Sequence, residues 1–146
     1  MPSLNLSSVI ACPPRRVFTT VAHLGEFASA VPSITRASCL GTTEEGVGAR
    51  WEVFREISGV ERSTVFEVVE YEPDSWVRIV SEAGGATWDA GFEVTPDGRR
   101  TALALSLEAR AKGIAARMGL PVILSAAKGV FAKDLDAVKR HCESAK

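Results

Sequence analysis

The chain has 146 residues, 46% hydrophobic and 24% charged, which fits one globular domain over 1–146, large enough to bury a core around a pocket. Its 17 basic and 18 acidic side chains leave a net charge of −1, without the basic excess of a nucleic-acid binder. Three widely spaced cysteines, Cys12, Cys39 and Cys142, argue against a disulfide framework and for reduced thiols in a cytoplasmic protein.

Residues 3–11 alternate, with Leu4, Leu6 and Ile10 on one parity, and predict a first strand rather than a signal peptide. Pro13 and Pro14 stop it. Val17, Phe18, Val21 and Leu24 then follow helical spacing, so a short helix is expected over 14–24, broken by Gly25. A second short helix, 26–30, ends before Pro32.

Strands are expected next at 34–41, 48–57, 61–71, 76–82, 86–95 and 100–110, separated by turn residues such as Ser58-Gly59, Gly84-Gly85 and Pro96-Asp97-Gly98. Shared parity puts Trp51, Val53, Arg55 and Ile57 on one face. It groups Arg62, Thr64, Phe66 and Val68 on the next strand. Trp88, Ala90, Phe92 and Val94 form another set, as do Thr101, Leu103, Leu105 and Leu107. Such regular hairpins imply an antiparallel meander with one buried face.

The last element is a long helix over about 120–142. Leu124, Ala127, Phe131, Leu135, Val138 and Cys142 form its apolar stripe, and Pro121 suits its first turn. It would run roughly 35 Å, about the width of a small domain. Its C-terminal half should seal the core and its N-terminal half should wall a pocket, with Gly129 at the division permitting a bend or a close approach. Its opening apolar run, 120–127, is too short to span a bilayer.

Several stretches resemble one family. They are Ala11-Cys12-Pro13-Pro14 leading to Val17-Phe18, Val21-Ala22-His23-Leu24 leading to Val31-Pro32, and Gly46-Val47-Gly48. Val68-Val69-Glu70-Tyr71-Glu72-Pro73, Phe92-Glu93-Val94-Thr95-Pro96 and Asp134-Leu135-Asp136-Ala137-Val138 complete the set. In this order they resemble the START-like (SRPBCC), helix-grip superfamily of polyketide cyclases/dehydrases and lipid-transport proteins. The resemblance implies an α+β fold, with a curved antiparallel sheet of six or seven strands around a long C-terminal helix. It also implies a cavity for an apolar or polycyclic ligand. The chain departs from the family at His23, where Asp is frequent, and around Phe27 to Val31, where aromatics and prolines are frequent.

No nucleophile elbow, phosphate loop, dinucleotide fingerprint or paired His/Cys metal spacing occurs, so neither a metal nor a cofactor is expected. The expected partner is a small hydrophobic molecule, bound by a monomer or homodimer. Ligand contacts are expected from Trp51, Arg55, Phe66, Trp88, Leu105, Leu124, Ala127 and Phe131. An alternative is an aromatase/cyclase or dehydratase. Arg55 would then polarise a carbonyl, with Tyr71 or His23 as the proton-transfer group. Arg55 and Arg62 face inward if their registers hold and outward at a bulge or strand end; Arg78 has apolar neighbours on both faces. Asp89 and Glu93 should be solvated. The basic segment 109–119, with Arg110, Lys112, Arg117, Ile114 and Met118, reads either as a crossover into the helix or as a lid that touches anionic headgroups.

Overall fold

The computed structural model describes residues 3–83, 85–111 and 113–144, with the side chains of all of these except Ile57 and 114–117. Gly84 and Lys112, and the side chains of Ile57, Ile114 and Arg117, named above, therefore lie outside the described residues. The element order is β1 (Ser3–Ile10), α1 (Pro14–Ala22), α2 (Leu24–Ala30), β2 (Ile34–Cys39), β3 (Arg50–Ile57), β4 (Val60–Glu72), β5 (Trp76–Ala83), β6 (Ala86–Asp97), β7 (Arg100–Ala111) and α3 (Ile114–Ser144).

The described strands form one antiparallel sheet in the order β1-β7-β6-β5-β4-β3-β2. Hairpin chemistry sets the registers. Ser58 and Gly59 take φ of 54° and 79°, the left-handed pair that a two-residue turn requires. This turn pairs Ile57 with Val60 and, further along, Arg55 with Arg62, Val53 with Thr64 and Trp51 with Phe66. A bulge between Val68 and Glu70 shifts the pairing of β4 with β5 and bends the strand. It also returns Tyr71 to the packed face, where its ring meets Phe18 edge-on at 5.3 Å.

The main core lies between the concave face of the sheet, α1 and the C-terminal half of α3. Ile10, Val17, Val21, Val77, Leu103 and Val138 are fully buried there. Each such side chain stabilises the fold by about 1.5–3 kcal/mol relative to exposure. α3 packs on β1 and β7 and meets α1 and α2. Lys139 Nζ donates to the Val9 carbonyl at 2.7 Å, and Ala11 N–H donates to Glu143 Oε2 at 2.9 Å. These bonds fasten the end of α3 to the end of β1.

Three sequence expectations are corrected. α3 begins at Ile114, so Pro121 sits inside the helix rather than in its first turn. The good helix formers Ala115, Ala116, Arg117 and Met118 carry the helix across that position. The break between α1 and α2 falls at His23, not Gly25. His23 Nδ1 accepts the Glu26 N–H at 3.4 Å and caps α2. Gly25 answers a different need, because a Cβ there would stand 3.1 Å from His23 Cε1 and 3.2 Å from the Trp51 ring. Gly129 permits no close approach: it is exposed, and a Cβ there would meet nothing within 4 Å.

Candidate ligand-binding site

One row of paired residues crosses the concave face. Trp51 on β3 faces Phe66 on β4, Phe66 faces Ser81 on β5, Ser81 faces Trp88 on β6, and Trp88 faces Ala109 on β7. The indoles are anchored by their polar ends. Trp51 Nε1 donates to the Glu44 carbonyl and Trp88 Nε1 to the Ala83 carbonyl, both at 3.0 Å. Trp51 is buried, with His23 edge-on against it at 5.5 Å between ring centres. Phe66, Ser81 and Trp88 are half-buried.

Burial changes along the strands. On β5 Val77 and Ile79 are buried, Ser81 is half-buried and Ala83 exposed. On β4 Val68 is buried, Phe66 and Thr64 are half-buried, and Arg62 and Val60 are exposed. On these two strands the concave face emerges from the core toward the β3–β4 hairpin, whereas at the β5–β6 hairpin Ala86 of β6 is buried again with Leu120 of α3.

α3 changes in the same sense. Leu135, Ala137, Val138 and Cys142 are buried, whereas Leu124, Ala127 and Phe131 are half-buried. Leu120 is buried in a separate small cluster with Ala86 and Ala109, against which Trp88 and Leu124 pack. Phe66 and Phe131 pack on the main core instead. Met118 and Val122 are exposed on α3.

Arg55 lies on the concave parity. Its guanidinium grips Asp134 of α3 with two bonds, Nη1 to Oδ1 at 2.9 Å and Nη2 to Oδ2 at 3.0 Å, and Nη1 also donates to Ser33 Oγ at 3.0 Å. Burial pushes the Asp134 carboxyl above the usual carboxylate range, against the pull of Arg55. Arg62, directly across from Arg55, is exposed and has no hydrogen-bond or ion-pair partner among the described residues.

The remaining candidates separate. Tyr71 is held against Phe18, and its hydroxyl pKa is raised by burial and then by Glu45 and Asp74. His23 caps α2. No hydrogen bond joins Arg55, Tyr71 and His23 to one another among the described residues. Leu105 is fully buried between its strand partners Leu6 and Phe92, deep in the main core.

Arg78 points to the convex face. It donates to Asp89 Oδ1 at 2.8 Å, Asp89 Oδ2 at 2.6 Å and Glu70 Oε2 at 2.7 Å. Asp89 is consequently half-buried and paired rather than simply solvated, while Glu93 is exposed. Trp76 donates to Glu70 Oε1 at 2.7 Å and lies over Gly91. Asp134 and this convex cluster were the contacts sequence reasoning missed; the pairing partners lie on other elements and leave no local signal.

Two surface grooves lie elsewhere. One of about 590 Å³ runs between the end of α2 and the last turns of α3, beside Ala30, Pro32, Ala137 and His141. Another of about 420 Å³ follows α1 beside Arg15, Arg16 and Thr19. No residue assigned to ligand contact from the sequence lines either one.

A curved antiparallel sheet, two short helices after its first strand and a long C-terminal helix held by the concave face define a START-like, helix-grip protein. The sequence matches the polyketide cyclase/dehydrase and lipid transport family over residues 1–143, and the chain belongs to that family. Solved structures agree on the fold. A Thermus thermophilus protein aligns at TM-score 0.80 and 16% identity, covering 99% of both chains. A Mycobacterium smegmatis START superfamily protein aligns at 0.78 and 14%, again with 99% of each chain. The Streptomyces Zhui aromatase/cyclase aligns at 0.78 and 17%, covering 97% of this chain and 93% of that one. No curated protein matches the chain in sequence.

Proposed function

We propose that this protein binds a small, mainly apolar molecule between the concave sheet face and the N-terminal half of α3. The observation that carries this reading is the incomplete burial of inward side chains. Phe66, Trp88 and Ala90 from the sheet, with Leu124, Ala127 and Phe131 from α3, stay half-buried. Their neighbours Val68, Ile79 and Leu107 on the same face are closed. Rigid aromatic walls with a few polar groups suit an apolar or polycyclic ligand, and family membership points the same way.

Binding is favoured over catalysis because the expected catalytic residues are committed elsewhere. Arg55 is spent on Asp134, His23 on the cap of α2, and Tyr71 on Phe18. Should the cargo be a lipid, the end of α3 that exposes Met118 and Val122 is the part that would meet a membrane. Among the described residues no helix is long and apolar enough to cross one. Three free cysteines suit a reducing compartment such as the cytoplasm.

Native mass spectrometry of the purified chain tests the proposal. The expected result is a small-molecule adduct that dissociates on collisional activation. A bare chain that also takes up none of a broad panel of hydrophobic probes would contradict it.

A further inference from the structure

Two rungs beyond the aromatic pair Trp51 and Phe66, the β3–β4 ladder places two cations on the same face. Arg55 and Arg62 are directly paired, with Val53 and Thr64 between them and the aromatics. Facing residues in such a ladder stand about 5 Å apart at Cβ, so like charges there repel. The strand alternation sends the acids the other way. Glu56 pairs with Glu61 on the opposite face, where Glu61 Oε2 accepts a hydrogen bond from Thr35 at 2.7 Å. The concave side of this hairpin is thus basic and its convex side acidic.

Asp134 offsets only one of the two cations. Its carboxylate oxygens are taken up by the Arg55 guanidinium. Arg62 keeps its full charge without a partner among the described residues, at the point where β4 passes from half-buried to exposed. The row therefore runs from apolar wall, through Thr64, to an unpaired guanidinium at the rim.

Resting on the pocket reading above, we propose that Arg62 is a specificity residue for a carboxylate, and that the preferred ligand is an amphipathic monoacid. Its apolar body would lie along Trp51, Phe66 and Trp88, and its carboxylate would meet Arg62 at the mouth. The planar guanidinium matches a carboxylate with two parallel donors. Arg55, already forked onto Asp134 and offset by it, supplies neither a free fork nor net charge. Because Arg62 is solvent-exposed, its contribution is screened by salt.

The test is displacement of Nile red by matched acids and alcohols, dodecanoate against dodecanol and naphthoate against naphthalenemethanol. It is run on the wild-type chain and on Arg62→Gln, at low and high salt. Arg62 is exposed, so the variant should fold normally. The wild-type chain should prefer each acid by about tenfold, equivalent to about 1.4 kcal/mol. Arg62→Gln should erase that preference while leaving alcohol affinity unchanged, and high salt should shrink it in the wild type alone. Equal wild-type affinity for acid and alcohol overturns the inference, as does a preference that survives Arg62→Gln. Nile red binding with no displacement by either acid also overturns it and leaves the pocket standing. No Nile red binding at all removes the pocket and the inference together.

Discussion

Arg55 on β3 and Asp134 on α3 are joined by two parallel hydrogen bonds of 2.9 and 3.0 Å across 79 positions of sequence. The pair stands where α3 changes from a buried helix into a half-buried one, just after Phe131 and just before Leu135. It pins the helix to the sheet at the inner end of the proposed pocket wall. Removing one partner leaves the other charge poorly solvated. Asp134→Ala is expected to cost about 3 kcal/mol in urea denaturation. Arg55→Leu combined with Asp134→Leu should recover most of that loss. Equal loss in the single and double variants would mean that the pair does not act as a unit.

Gly129→Ala should stabilise the protein by up to about 1 kcal/mol, because alanine is the better helix former. The site is exposed, and the new methyl group would meet nothing within 4 Å. A raised thermal midpoint checks this; a lowered one would show that the glycine serves a bend.

Gly91→Ala should act in the opposite sense. A Cβ there would lie 2.2 Å from the Trp76 ring, so the indole must leave the sheet or the strand must shift. A loss of about 1–3 kcal/mol is expected, typical of overpacking. Red-shifted emission from a variant retaining only Trp76 would show the ring moving into water.

These residues also mark how far the sequence was legible. Alternation identified the strands because one sheet face is packed and the other wet, and it placed Arg55 on the inner parity. It did not identify Asp134 as the partner, since nothing near either residue encodes a contact between β3 and α3. Tyr71 lies on the parity opposite Phe66 and Val68, and the bulge after Val68 turns it to their face. Pro121 marked the wrong helix start because its fixed φ suits a first turn, while the preceding helix formers carry the helix through it. The cap at His23 is legible, as a polar side chain at the end of the first helix and three residues before Glu26.

Acid should weaken the convex network. The Glu70 carboxyl is held below its usual range by hydrogen bonds from Trp76 and Arg78, and the Asp89 carboxyl by Arg78. Groups with depressed pKa stabilise the fold above their unfolded values, and that stability is lost as pH falls below about 4. Asp134 has the opposite sign, because its pKa is raised. Its contribution is present below the unfolded value and is lost as pH rises beyond the carboxylate range. Urea midpoints against pH should therefore fall less steeply in acid for Arg78→Met than for wild type. A steeper or identical acid loss in the variant would contradict the assignment. The exposed partners are screened by solvent, so the effect is small.

The most direct measurement is tryptophan emission from Trp76→Phe, which leaves Trp51 and Trp88 on the concave face as the only reporters. Saturable quenching or energy transfer is expected when hydrophobic fluorescent ligands are titrated, with the response weakened by Ala127→Phe filling of the pocket. Unchanged emission across a chemically broad ligand panel would contradict it.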